Sequence, residues 1–144
     1  MHSTAPDLAV LLRCILDGGS YNGRRVFTPA AVRAMTTDQN TQIVFPGPAA
    51  AAPWGLGFGL RDSQVWTFFG DLTSAKTFGH VGATGTTFWA DPVSDLVCVV
   101  LTNNMVEDGS LLNRVSNAVM ASVVDVSAIS PFGLGASTNV AARL

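Results

Sequence analysis

The run Phe78-Gly79-His80-Val81-Gly82-Ala83-Thr84-Gly85 sets one imidazole among three glycines, directly ahead of an apolar stretch. An unperturbed imidazole titrates near neutrality, so it can donate to a substrate carboxylate or carbonyl, or move protons around a tetrahedral intermediate. Gly79, Gly82 and Gly85 remove Cβ atoms at three spaced points, which lets a substrate lie against the main chain. A following strand can hold the exposed N–H groups rigidly. Those are the parts of one wall of an acyl-transfer site. The other wall needs a nucleophile paired with its base, and no such pair is found in the 144 residues. On pattern alone, a histidine capping a glycine-rich turn carries more weight than a functional one.

The other chemistry-bearing residues have simpler explanations. Trp54, Phe58 and Trp89 could line an acyl pocket, but aromatics dominate buried area and are read as core. Asp91 and Asp95 flank a turn, and Asp-Pro at a hairpin end is explained by turn chemistry without invoking paired carboxylates. Thr84, Thr86 and Thr87 suit a strand surface better than a ligand set. Asn103-Asn104 reads as a strand terminus with side-chain-to-backbone bonds. His2 and the two cysteines have no ligand spacing to His80, so no metal is assigned, and no motif calls for a cofactor.

Composition bounds the class. With 48% hydrophobic and 12% charged residues the chain is globular in character and long enough for one domain or part of a larger one. A net charge of -2 with dispersed arginines gives no footprint for nucleic acid. Cys14 and Cys98 could in principle pair, but each sits in an apolar pattern where a thiol acts as a small hydrophobe. Met1 leads straight into His2-Ser3-Thr4, with no basic region before an apolar one, and Leu96 to Leu101 is too short to span a bilayer. The expectation is no export signal and no membrane anchor, with the cytoplasm as default.

These residues need positioning elements. Ser3 or Thr4 caps a helix whose face carries Leu8, Val10, Leu11, Leu12, Ile15 and Leu16 and which ends at Gly18-Gly19. A helix starting so close to Met1 reads as an entry into the middle of a fold. Asn22-Gly23 signals a tight turn, Arg24 to Phe27 a short strand or extended link, and Thr28-Pro29 opens a helix over Ala30 to Met35. Thr36 to Pro53 is a surface loop broken at Pro46-Gly47-Pro48. Trp54 to Leu60 alternates large apolar residues with glycine, the pattern of a strand with its even-numbered side chains inward. Val65 to Phe69 reads as extended. Thr86 to Ala90 and Leu96 to Thr102 form the clearest hairpin. A last helix opens at Ser110 or Asp108-Gly109 and carries Leu111, Leu112, Val115, Val119 and Met120 on one side. Hairpin-linked strands without a βαβ rhythm give an α+β class, an antiparallel sheet flanked by helices. Residues 1–127 are expected to form the folded part and 128–144 a peripheral or poorly ordered tail.

Four stretches together resemble the serine β-lactamase-like family, which includes class C β-lactamases, D-alanyl-D-alanine carboxypeptidases, penicillin-binding proteins and related esterases. They are Ser3-Thr4-Ala5-Pro6-Asp7-Leu8-Ala9 leading to Leu16-Asp17-Gly18-Gly19; Leu56-Gly57-Phe58-Gly59; Phe78 to Gly85; and Phe88-Trp89-Ala90-Asp91-Pro92 running on to Val99-Val100-Leu101-Thr102-Asn103. Their order and spacing are similar to the C-terminal half of that family over roughly residues 3 to 120. The resemblance implies a serine three residues before a lysine, a tyrosine or serine with an asparagine two residues on, and a third motif, Lys-Thr-Gly or His-x-Gly, on an edge strand. Only the third is present. It falls on His80-Val81-Gly82, with the Ala83 N–H in the place of one oxyanion donor; the other donor would be the nucleophile's own N–H. The only lysine is Lys76, preceded at three positions by Thr73, and the only tyrosine, Tyr21, is followed at once by Asn22.

The resemblance therefore implies a partial β-lactamase/transpeptidase-like fold lacking the N-terminal strands and the nucleophile-bearing helical region. It assigns His80 and Ala83 catalytic places, and Gly79, Val81, Gly82 and Thr84 substrate contacts. The Val81 position often holds threonine in relatives, which leaves recognition to His80, the main chain and Thr84. The substrate class would be a small-molecule ester, peptide or β-lactam opened through an acyl-serine intermediate. The competing class is a non-catalytic ligand-binding or oligomerisation module on the same scaffold. A sheet without its early strands retains an unpaired hydrophobic edge, which predicts self-association or dependence on a complementing chain.

Overall fold

In a computed structural model, residues 3–40, 52–61, 67–103 and 109–123 of the chain are described. Helix α1 spans Ala5–Leu16. Thr4 caps it: its Oγ1 accepts from the Asp7 N–H at 3.3 Å and donates to Asp7 Oδ2 at 2.8 Å, while Pro6 occupies the first turn, where its missing N–H costs nothing. The helix stops where the Gly18 and Gly19 N–H groups turn back to the carbonyls of Ile15 and Cys14. Leu8, Leu12, Cys14 and Ile15 are buried, whereas Val10, expected on the inner face, is 38% exposed. It sits two residues from both Leu8 and Leu12, on the far side of a 3.6-residue turn.

A two-residue hairpin follows, β1 (Ser20–Tyr21) and β2 (Arg24–Arg25), with Asn22 and Gly23 both at positive φ, as a tight two-residue turn requires. Helix α2 (Pro29–Thr36) starts at Thr28, whose hydroxyl accepts from the Ala31 N–H. The loop expected over residues 36–53 lies largely outside the described residues.

The Trp54 to Leu60 stretch is not the continuous strand that its alternation predicts. It reverses on itself: Trp54 bridges Gly59, the Gly55 N–H donates to the Phe58 carbonyl, and Gly57 takes φ +83°. The reversal throws Leu56 outward at 58% exposed and leaves only Gly59–Leu60 as strand β3. Likewise Thr67–Phe69, expected extended, is a short 3-10 turn.

The main sheet has the order β3-β4-β5-β6, antiparallel throughout, with β4 at Phe78–Gly82, β5 at Thr86–Asp91 and β6 at Leu96–Val100. Strand alternation sorts the core into two layers. On one face Phe78 and Ala90 pack with Phe58 and with Leu12 and Ile15 of α1. On the other, Trp89 and Cys98 pack with Phe69, Ala52 and the half-buried Val119 and Met120 of helix α3 (Ser110–Ser122). An α+β sandwich results, an antiparallel sheet with a helix on each side. Leu111, expected inward on α3, is 45% exposed, while Leu112 and Ser116 are fully buried. Ser116 takes the inner place because the Trp89 indole N–H needs an acceptor there, at 3.0 Å. Among the described residues no helix is long and apolar enough to cross a membrane. The stretch 128–144 lies outside them.

Candidate functional site

The residues singled out from the sequence occupy one strand and the turn that follows it. Gly79, His80, Val81 and Gly82 lie on β4, so His80 is a strand residue and not a loop cap. Its register partner on β5 is Phe88, and the two rings stack with centroids 6.3 Å apart and planes 15° apart. Trp54 closes the imidazole from another direction, 5.4 Å away and tilted by 60°. Nδ1 faces the Val81 carbonyl at 2.7 Å. A carbonyl only accepts, so Nδ1 carries the proton, and in the neutral ring Nε2 is the acceptor nitrogen. Two aromatic faces and one backbone bond thus fix the tautomer and plane of the ring.

The pairing of β4 changes along its length. Gly59 and Leu60 of β3 face Gly79 and Phe78, and no further β3 residue continues the ladder. From His80 to Gly82 the register partners on β5 are Phe88, Thr87 and Thr86. The chain then turns, with the Gly85 N–H donating to the Gly82 carbonyl at 3.1 Å and Gly85 at φ +73°. Ala83 and Thr84 sit exposed at the tip, and no group among the described residues takes up the Ala83 N–H. Thr102 anchors the tip by donating to the Gly85 carbonyl at 2.7 Å and the Thr84 carbonyl at 3.1 Å.

A cleft of about 360 Å³ opens beside this turn, lined by Val81, Gly82, Thr84, Thr86 and Phe88 of the hairpin with Leu101, and by Ser3 and Leu8 at the start of α1. Three of the expected substrate contacts, Val81, Gly82 and Thr84, converge there; Gly79, His80 and Ala83 do not line it. Gly79 has a separate reason to be glycine. A Cβ there would fall on the Phe88 carbonyl and Trp89 of β5, so the space it frees is taken by the neighbouring strand. At Gly82 the same space is taken by Thr86 Oγ1. A second hollow, about 460 Å³ between α1, α2 and the residues leading into β4, holds Lys76 and Thr77 but none of the expected site residues.

Neither of the two thiols is activated as a nucleophile. Burial raises the Cys98 thiol to about 11, and burial, with Asp17 adding to it, raises Cys14. Thiols held protonated in apolar surroundings are inert. Both are free, so the pairing left open by the sequence is not made. The Thr73 hydroxyl, three residues before Lys76, is buried and donates to the Gly70 carbonyl. Tyr21 belongs to the β1–β2 hairpin.

Asp91 is more than a turn residue. It is fully buried, accepts from Ser74 Oγ at 2.6 Å, the Ser74 N–H at 2.7 Å and the Val93 N–H at 2.9 Å, and so ties the loop ahead of β4 to the end of β5. Burial alone would raise its pKa, but the bonds from Ser74, Val93 and Ser94 hold it below the ordinary carboxylate range. Sequence reading of the Asp-Pro turn reached the local bonds and missed the long-range one, because Ser74 lies seventeen residues away with no motif to mark it.

Comparison with known proteins follows the same outline. A sequence model of the beta-lactamase family matches residues 1–119. The chain is 34% identical over 104 residues to a "Putative D-alanyl-D-alanine carboxypeptidase" of Escherichia coli (strain K12), a stretch that covers 72% of this chain and 22% of that protein. A protein of the same description from Salmonella gallinarum is 33% identical over the same shares. Among solved structures, a beta-lactamase from Mycobacterium bovis superimposes with a TM-score of 0.66 at 34% identity, over 83% of this chain and 44% of that one. A penicillin-binding protein homolog from Caulobacter crescentus gives 0.65 at 29% identity, over 84% and 32%. The chain thus spans about a fifth of the curated relatives and under half of the solved ones. By the family match and by the shared fold, the chain belongs to the beta-lactamase family.

Proposed function

We propose that this chain corresponds to the C-terminal portion of a beta-lactamase-family serine hydrolase. In that reading it contributes the His80-Val81-Gly82 strand and the Ala83 N–H to an acyl-serine site whose nucleophile is not among its residues. The supporting observation is the course of β4: its ladder to β3 covers Phe78 and Gly79, and the strand runs on through His80 to Gly82 into a turn where Ala83 is exposed and its N–H has no partner among the described residues. A preorganised N–H at such a turn is suited to a developing oxyanion, and His80, with its ring plane fixed, to orienting a carbonyl or carboxylate. The apolar cleft at Val81 and Phe88 suits the acyl portion of an ester, peptide or β-lactam. The partial overlap with longer relatives, and a sequence holding the third family motif without the other two, support the same reading.

A second reading rests on Gly79 and Gly82. Since the β5 backbone and Thr86 already fill the space both glycines leave, the motif could persist for the scaffold alone, in a non-catalytic ligand-binding or oligomerisation module. Amide NMR separates the two. Titration with a short-chain acyl carboxylate is expected to shift the Gly82, Ala83 and Thr84 resonances together, and His80→Ala to weaken that response severalfold. Shifts confined to other regions, or none at millimolar ligand, would leave the scaffold reading standing and remove the first.

A further inference from the structure

The structure assigns Thr102 a positioning role: from just beyond β6, its hydroxyl sets the direction of the Ala83 N–H through two peptide planes of the β4–β5 turn. The bearing of this on an oxyanion rests on the acyl-site reading of Ala83 given above; the relay itself does not. The β5–β6 ladder is last registered at Thr87 and Val100, where β6 ends. Carried two residues further, the same register sets Thr102 beside Gly85. Gly85 is buried and its carbonyl needs a donor, which the Thr102 hydroxyl supplies at 2.7 Å while also reaching the Thr84 carbonyl at 3.1 Å. A hydroxyl has one proton, so two consecutive carbonyls share it.

A trans peptide is planar, with its C=O and N–H pointing to opposite sides. The Thr84 carbonyl held by Thr102 shares its plane with the Gly85 N–H, so fixing one aims the other. That N–H donates to the Gly82 carbonyl at 3.1 Å. The Gly82 carbonyl shares its own plane with the Ala83 N–H, which is thereby aimed away from the interior of the turn. Ala83 and Thr84 are exposed, so burial does little to hold the tip and the hydrogen bonds carry its geometry. Each bond in such a chain also polarises the next, which makes the Ala83 N–H a stronger donor while the Thr102 hydroxyl is in place.

Thr102→Val swaps the hydroxyl for a methyl group, and amide NMR on the full chain reads the result. Without ligand it is expected to move the Ala83 and Gly85 resonances and to speed exchange at the Gly85 amide severalfold. With butyrate as probe, the affinity read at Ala83 should fall about fivefold. Thr102→Ser keeps the hydroxyl and should return all three readouts toward native values, and Thr102→Ala gives the same loss as valine should the valine variant not fold. A merely structural role would lower the unfolding midpoint and leave the butyrate affinity of the folded chain unchanged, which would overturn the inference. Native Ala83 and Gly85 resonances in Thr102→Val, or a serine variant as impaired as the valine one, would do the same. A native chain silent to butyrate at Ala83, with the ligand-free readouts moved by Thr102→Val, would uphold the relay and count against the acyl-site reading.

Discussion

The two faces of the sheet are closed by different forces. On the α1 face, Leu12 and Ile15 lie on Phe78 and Ala90, and the polar ties that α1 makes to the sheet region, among the described residues, run from Arg13 to Asp95 at the exposed turn. On the α3 face a polar relay crosses the interface: the Trp89 indole N–H donates to Ser116 Oγ, which donates to the Phe68 carbonyl at 3.0 Å. Asn117 adds a second tie, its Oδ1 accepting from the Asp71 N–H at 2.7 Å and the Leu72 N–H at 3.1 Å. The first helix meets the sheet face through apolar contact, with its polar tie at the exposed rim. The second is held in one register, because a slip would strand a buried indole N–H. Trp89, central to that relay, is also the β5 residue opposite Gly79, so the polar face is the one that fixes the backbone beneath the candidate site.

The largest expected effect separates the faces by volume. Trp89→Ala removes the biggest fully buried side chain and should cost about 4 kcal/mol, against about 3 kcal/mol for Leu12→Ala on the apolar face, both read from urea unfolding midpoints. Near-equal small losses would contradict the placement of either residue in the core.

A double-mutant cycle sharpens the contrast. Ser116→Ala leaves the Trp89 N–H without its acceptor and should cost about 2 kcal/mol in the native background. In a Trp89→Phe background, where the donor is gone, the same substitution should cost less than half as much. An additive cycle would mean that the relay carries no coupling.

The difference in forces also explains what the sequence made legible. Leu8, Leu12 and Ile15 repeat at helical spacing because an apolar interface needs nothing else, and Thr4, Thr28, Asn22 and Gly23 announce element ends through local bonds made within three residues. The β5–β6 hairpin was readable for the same reason. Ser116 was not, since a buried serine has meaning only through Trp89, 27 residues away. Gly55 to Gly59 misled because alternation reads as a strand whether or not the chain turns, and the turn depends on Gly57 at positive φ and on Gly55 packed against the Met35 carbonyl. At the candidate site, the His-x-Gly motif was legible as a motif. The cleft was not, since Ser3 and Leu8 join Val81 and Thr86 only through the packing of α1 on the sheet.

A pH dependence follows from the buried carboxylate at the end of β5. The folded pKa of Asp91 lies below its ordinary value near 3.8, so its contribution is fully present above that value and is lost as pH falls from there through the lowered folded one. Unfolding midpoints should therefore drop on acidification below pH about 4. Asp91→Asn should start about 1–2 kcal/mol less stable at neutral pH and show a shallower acid slope. An unchanged slope would remove Asp91 from this role.

The smallest expected effect lies at the exposed network of Arg13 with Asp17 and Asp95, at 2.8 and 2.6 Å. Solvent screens it, so Arg13→Ala should cost about 0.5 kcal/mol, and less in high salt.

The most direct test of the central claim, a site wall without its own nucleophile, is intact-mass measurement after incubation with a fluorescent penicillin and, separately, with a short-chain activated ester. The expected result is an unmodified chain and product release no faster than the buffer rate. A stoichiometric acyl adduct would contradict the claim and place a nucleophile within these 144 residues.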